Sequence, residues 1–96
     1  LFGAAHALEI PFSFNTIDRP GVDVFLGPGD HPATLAETMH DAWISFIRSG
    51  DPSTTALGQW PHYTPDDRAV MELDDECVLL NDPRPAERQA WEGIVR

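Results

Sequence analysis

The chain has 96 residues and a mass of 10.6 kDa, one domain at most or a piece of one, because domains usually run to roughly 100–150 residues. Its 42% hydrophobic and 23% charged residues form a globular composition, and a mean hydropathy of −0.27 with no apolar run near ~20 residues excludes a helical membrane span. The formal charge is −10, sixteen acids against six bases that are all Arg, a balance that repels phosphate backbones and anionic headgroups and sets aside nucleic acid and membrane surfaces as partners.

The chain opens Leu1-Phe2-Gly3-Ala4-Ala5 with no initiator Met, basic stretch or signal-type cleavage pattern, which suggests an internal starting point in something longer. A dense apolar block runs from Phe2 to Phe14, and Pro11 within it keeps any helix beginning near Ala7 short. Asp18-Arg19-Pro20-Gly21 and Gly27-Pro28-Gly29-Asp30 place turn chemistry on both sides of Val22–Leu26, the pattern of connecting structure over a buried surface.

The clearest element is a helix over 34–49, where Leu35, Met39, Ala42, Trp43, Phe46 and Ile47 recur at three-and-four spacing. Thr34 with Glu37 fits a capping box at its start. Arg48 in the last turn, Gly50 and Pro52 mark its end. Residues 51–67, rich in Pro, Thr and Gly around Trp60-Pro61-His62-Tyr63, read as an ordered loop that Trp60 pins to a core. Two apolar runs, Ala69–Leu73 and Cys77–Leu80, separated by Asp74-Asp75-Glu76, predict a β-hairpin over about 69–80 without the usual turn glycine. Asp82 as N-cap, Pro83 at the first helical position and Ala90, Trp91, Ile94 and Val95 at helical spacing predict a terminal helix over about 83–95. No internal repeat or low-complexity tract is present.

Four His and sixteen acids raise a metal reading, with His31, Glu37, His40 and Asp41 as the tightest cluster. His31 precedes the helix cap and no H-x-x-x-H or C-x-x-C pair fixes two ligands, so these are expected to be solvated side chains on an acidic face and no metal is assigned. The serines, Ser13, Ser45, Ser49 and Ser53, lie outside any G-x-S-x-G elbow. Ser45 and Ser49 read as the polar face of the long helix. The lone Cys77 cannot form an internal disulfide, and with acids just before it the thiol is expected to be inert. His6 differs from the other histidines: small residues on both sides allow close approach of a ligand, and Phe12 and Phe14 behind it are candidates for excluding water. By composition and spacing alone, a structural His and a catalytic one both stay open.

The stretch Gly3-Ala4-Ala5-His6-Ala7-Leu8-Glu9-Ile10-Pro11-Phe12-Ser13-Phe14 resembles the catalytic-histidine segment of the type B carboxylesterases, the family of cholinesterases and bacterial para-nitrobenzyl esterases. Trp43-Ile44-Ser45-Phe46 with Gly50-Asp51-Pro52 is similar to that family's late helix and its W-x-x-F…G-D-P ending, and Trp60-Pro61-His62-Tyr63 to its W-P-x-Y loop, in the same order. The resemblance spans nearly all 96 residues and implies an α/β fold, the C-terminal segment of an α/β-hydrolase domain, by itself mostly α-helical with a short hairpin.

It also implies that His6 is the general base of a Ser–His–Glu/Asp triad in an ester hydrolase without cofactor. The nucleophile, the acid and the oxyanion-hole glycines would lie in the remainder of the parent chain, and the substrate would be a small-molecule ester. Glu9 matches a frequently acidic family position and takes a supporting or structural role, Phe12 and Phe14 are pocket candidates, and Trp43, Phe46, Trp60 and Trp91 are assigned to packing. The 96 residues alone are expected to be inactive and, with the Phe2–Phe14 block exposed, to self-associate. Two rivals stand beside this reading, a non-catalytic interaction or adhesion-type relative of the same fold and an independent α+β binding module. The compartment stays open.

Overall fold

The structure, a computed structural model, describes residues 3–94. Among them the chain forms α1 (Ile10–Ser13), α2 (Val22–Leu26), α3 (Ala33–Ser49), β1 (Ala69–Glu72), β2 (Val78–Asn81) and α4 (Pro85–Trp91). Phe2 and Val95, which the sequence places in the opening apolar block and the terminal helix, lie outside the described residues.

The seventeen residues of α3 follow from the apolar stripe, and its end follows from Gly50. That glycine adopts φ 78° and its N–H donates to the Phe46 carbonyl at 2.7 Å, closing the last turn. The capping box expected at Thr34 does not form. The Pro32 carbonyl accepts the first helical bond from Ala36 at 3.2 Å, so Pro32 is the N-cap and Thr34 lies inside the first turn, where its hydroxyl caps nothing. The Val22–Leu26 run is a single helical turn bracketed by Gly21 and Gly27.

Beyond α3, serine hydroxyls hold the loop. Ser45 Oγ donates to the carbonyls of Asp51 at 2.7 Å and Ser53 at 3.0 Å, and Ser49 Oγ to that of Ser45 at 2.8 Å. These two serines therefore do more than present a polar helix face. The Asp51 carboxylate accepts the Ser53 N–H at 2.9 Å, and hydrogen bonding from Ser53, side chain and then backbone, holds its pKa below the usual aspartate value. Ser53 Oγ in turn accepts the Trp60 N–H at 2.9 Å. Trp60 is half-buried and shares a cavity wall with Phe46 and Pro52, so it does anchor the loop against α3.

β1 and β2 pair antiparallel with Met71 opposite Leu79 and Val70 opposite Leu80. In β1, Ala69 and Met71 are buried while Val70 and Glu72 point out. Both faces of the hairpin carry apolar side chains, the pattern of strands covered on two sides. Cys77 precedes β2, and its Sγ meets the Asp74 carbonyl at 3.4 Å across the loop.

The terminal helix starts and ends differently from the expectation of 83–95. Pro85 follows Arg84, and a residue before proline is driven out of the helical region; Arg84 has φ −133° and is the N-cap. Asp82 does not cap. Its carboxylate receives Arg88 Nε and Nη2 in a two-pronged pair, each at 2.9 Å, while its N–H donates to the Arg68 carbonyl at 3.0 Å. The Arg88 bonds depress the Asp82 pKa, and Arg88 also pairs with Glu92. The helix stops at Trp91 because Gly93 turns left-handed with φ 80°.

Little of the apolar surface is covered. Besides Pro11, the buried hydrophobic side chains among the described residues are Ala36, Ala42, Ala69 and Met71, and no large side chain is fully buried. Of the aromatics assigned to packing, Trp60 is half-buried, whereas Phe46, Trp43 at 52% and Trp91 at 62% exposed reach the surface of this chain. The accessible surface is 7453 Å², where a compact protein of this mass exposes about 5,500 Å². The radius of gyration is 15.6 Å, against about 12.5 Å for a self-contained domain of this length.

Candidate active site

His6 stands exposed at the start of a turn that leads into α1. The small residues around it have a backbone reason. Gly3 has φ 59° and Ala7 φ 68°, so the chain is left-handed on both sides of the imidazole. Glycine takes that conformation freely, whereas Ala7 holds it at about 1–2 kcal/mol. A strained residue beside a candidate catalytic group is the kind of outlier that functional sites retain. Among the described residues the His6 ring makes no hydrogen bond.

The turn is joined to α1 by backbone bonds. The Ile10 N–H donates to the Ala7 carbonyl at 3.2 Å, and the Phe12 and Ser13 N–H groups to that of Glu9 at 3.0 and 2.9 Å. Glu9 is the N-cap of α1 through this carbonyl, and its side chain caps nothing. Pro11 is buried. The helix closes with Asn15 at φ 52°, the Asn15 N–H on the Phe12 carbonyl at 3.0 Å and the Thr16 N–H on the Pro11 carbonyl at 2.8 Å, a Schellman arrangement.

α1 packs on α3, and one side-chain bond joins them: His40 Nδ1 lies 2.9 Å from the Ser13 carbonyl. A carbonyl only accepts, so Nδ1 carries the proton. Between the two helices lies an apolar groove of about 600 Å³ whose wall includes Glu9, Phe14, His40, Trp43 and Ile47. Two of the sequence candidates, Glu9 and Phe14, therefore meet in this groove. Phe12 is half-buried, and His6 sits upstream on the turn.

The cluster His31–Glu37–His40–Asp41 is divided by the fold. His31 and Glu37 line a separate cavity of about 420 Å³ with Asp18 and Asp30, and His31 Nε2 is buried there without a partner among the described residues. His40 lines the groove between α1 and α3 instead. Among the described residues no three His, Cys, Asp or Glu side chains gather to hold a metal.

His40 is not the solvated side chain expected from the acids around it; it is half-buried and hydrogen-bonded. The signal lay in the period. His40, Trp43, Ile44 and Ile47 fall at i, i+3, i+4 and i+7, and all four line the same groove.

A family model described as "Carboxylesterase family" matches residues 1–91. A phenmedipham hydrolase of Pseudarthrobacter oxydans is 44% identical over 78 residues, covering 77% of this chain and 15% of that protein. A para-nitrobenzyl esterase of Bacillus subtilis is 38% identical over 86 residues, covering 90% of this chain and 17% of that protein. The crystal structure of a Geobacillus stearothermophilus carboxylesterase superposes on 96% of this chain with a TM-score of 0.80 and 38% identity, using 19% of its own length. The chain thus spans less than a fifth of these relatives and has the fold of one segment of an α/β-hydrolase, with four helices and a hairpin among the described residues. It belongs to the carboxylesterase family.

Proposed function

We propose that this chain is the C-terminal segment of a serine carboxylic-ester hydrolase and supplies its triad histidine, His6, while the nucleophile and the acid come from the remainder of the parent chain. The observation that carries this is the family match over residues 1–91 taken with the backbone at His6. The imidazole is exposed on a turn held left-handed on both sides, where a serine hydroxyl from another part of the protein has open access.

The chemistry asked of His6 is proton transfer. Its imidazole takes the proton of the serine hydroxyl as oxygen attacks the ester carbonyl, then delivers it to the departing alcohol. A second cycle with water as the nucleophile releases the acid. Neither cycle needs a metal or cofactor. Glu9, whose carbonyl organises α1, supports the turn, and Phe14 and Phe12 are the pocket-side candidates next to it. Without the serine and the oxyanion donors the imidazole retains little of this mechanism, so the 96 residues alone are expected to be inactive.

The test is His6→Gln in the full-length parent. The names of two relatives, para-nitrobenzyl esterase and phenmedipham hydrolase, supply the substrates to assay. The expected result is a loss of at least about 10³-fold in kcat with an unchanged melting temperature. A full rate in the variant overturns the proposal, and a parent lacking G-x-S-x-G upstream of Leu1 moves the reading to a non-catalytic relative.

A further inference from the structure

We infer that His40 is a positioning residue for the segment that carries His6. The inference rests on the reading of His6 as the base, and it assigns to α3 the task of holding that base in place.

Three observations converge. First, the His40–Ser13 contact is, among the described residues, the one hydrogen bond that joins residues 3–31 to the chain from 33 onward. Everything else that ties this stretch down by hydrogen bonding is local. Second, the bond is made where α1 has a carbonyl to spare. The carbonyls of Ile10, Pro11 and Phe12 are taken by the N–H groups of Phe14, Thr16 and Asn15, at 3.0, 2.8 and 3.0 Å. The Ser13 carbonyl has no backbone donor among the described residues, and His40 satisfies it. Third, the donor comes from the middle of a seventeen-residue helix and sits in the apolar wall shared with Phe14, Trp43 and Ile47. The bond is part-buried, and among the described residues losing its donor leaves the Ser13 carbonyl without a protein partner.

The mechanical path is short. From Ser13 the backbone bonds Ser13 to Glu9 and Ile10 to Ala7 run without a break back to the residue that follows His6. α1 has four residues, too few to keep a fixed orientation unaided. With the Ser13 carbonyl released, the turn can pivot, and misplacement of a reacting group by about 1 Å costs roughly 10²-fold in rate.

The requirement at position 40 is a single N–H at the place of Nδ1, and an asparagine amide puts one there. The test is steady-state kinetics of the full-length parent on a para-nitrobenzyl ester, with His40→Phe, which keeps a ring but no donor, His40→Asn, which keeps the donor, and His6→Gln alongside. His40→Phe is expected to lower kcat about 10- to 100-fold with KM within about twofold, and His40→Asn to recover most of that loss. A role confined to stability would shift the melting temperature of both variants and leave kcat of the folded enzyme alone. If His40→Phe does not yield folded protein, His40→Leu against His40→Asn, a pair matched in size, carries the comparison, and equal kcat in the two overturns the inference. A His40→Phe enzyme with full kcat beside an inactive His6→Gln overturns the positioning role and leaves the base reading standing. Full activity in His6→Gln removes both.

Discussion

The 96-residue chain expressed by itself is expected not to fold as a stable monomer. The perturbation is removal of everything that covers it, and the structure sets the scale. The chain exposes 7453 Å², about 2,000 Å² beyond a compact protein of its mass. If roughly 57% of that excess is apolar, as on ordinary protein surfaces, about 1,100 Å² of apolar area remains in water. At ~25 cal/mol per Å² this is roughly 28 kcal/mol of burial not realised. The whole stability of a domain is about 5–15 kcal/mol, so the deficit exceeds what local hydrogen bonds and the Arg88 pair supply.

The exposed side chains say where this shows: Phe14 is 68% and Ile47 72% accessible, close to the groove between α1 and α3. Sedimentation velocity over a concentration series, with near-ultraviolet circular dichroism reporting Trp43, Trp60 and Trp91, is the assay. The expected outcome is concentration-dependent association, weak aromatic signal and no cooperative urea transition. A monomer at every concentration that unfolds in one cooperative step would refute the reasoning from surface area.

Three further outcomes apply to the full-length parent. Gly50→Ala is expected to cost about 1–2 kcal/mol by denaturant titration, because a Cβ there meets open space and only the left-handed φ of 78° is strained; a neutral result would mean the helix end can rearrange. Trp60→Ala should cost about 2 kcal/mol, near half the 3–5 of a fully buried aromatic, because the side chain is half-buried against Phe46 and Pro52; an effect below about 0.5 kcal/mol would show that the loop is held by Ser45 and Ser53 alone. Asp82, whose pKa is lowered by its hydrogen bonds to Arg88, binds a proton less readily folded than unfolded. Its contribution is therefore complete above the ordinary aspartate value and lost as pH falls through the lower native one. Stability measured between about pH 2 and 5 should decline less steeply in Asp82→Asn than in wild type, and parallel curves would remove the pair from the acid-stability account.

The elements that were legible are those whose causes lie within a few residues. The apolar stripe of α3 and the left-handed stop at Gly50 are both local, as are the two short apolar runs that form β1 and β2. Expectations failed where two local rules competed. At the start of α4, the capping preference of Asp82 and the helix-start preference of Pro83 pointed to residue 83, but the restriction that Pro85 places on Arg84 prevailed, and Asp82 was free to pair with Arg88. At the start of α3, Thr34 and Glu37 have the right spacing for a box, but the Pro32 carbonyl had already begun the helix. Gly93 is a local stop signal, and the helical spacing of Ile94 and Val95 beyond it masks that signal in the sequence.

Site residues divide the same way. The motif around His6 named the candidate base and, with Trp43, Gly50-Asp51-Pro52 and Trp60-Pro61, the family, since those residues are read in order along the chain. Nothing in that order placed Glu9 and Phe14 in one groove with His40, sent His31 and Glu37 to a different cavity, or gave the Ser13 carbonyl its donor 27 positions away. Periodicity, φ preference and proline restriction act over about four residues, so a single sequence displays them. A hydrogen bond between α1 and α3 depends on how two helices meet, and that is decided by burial summed over contacts distant in the chain.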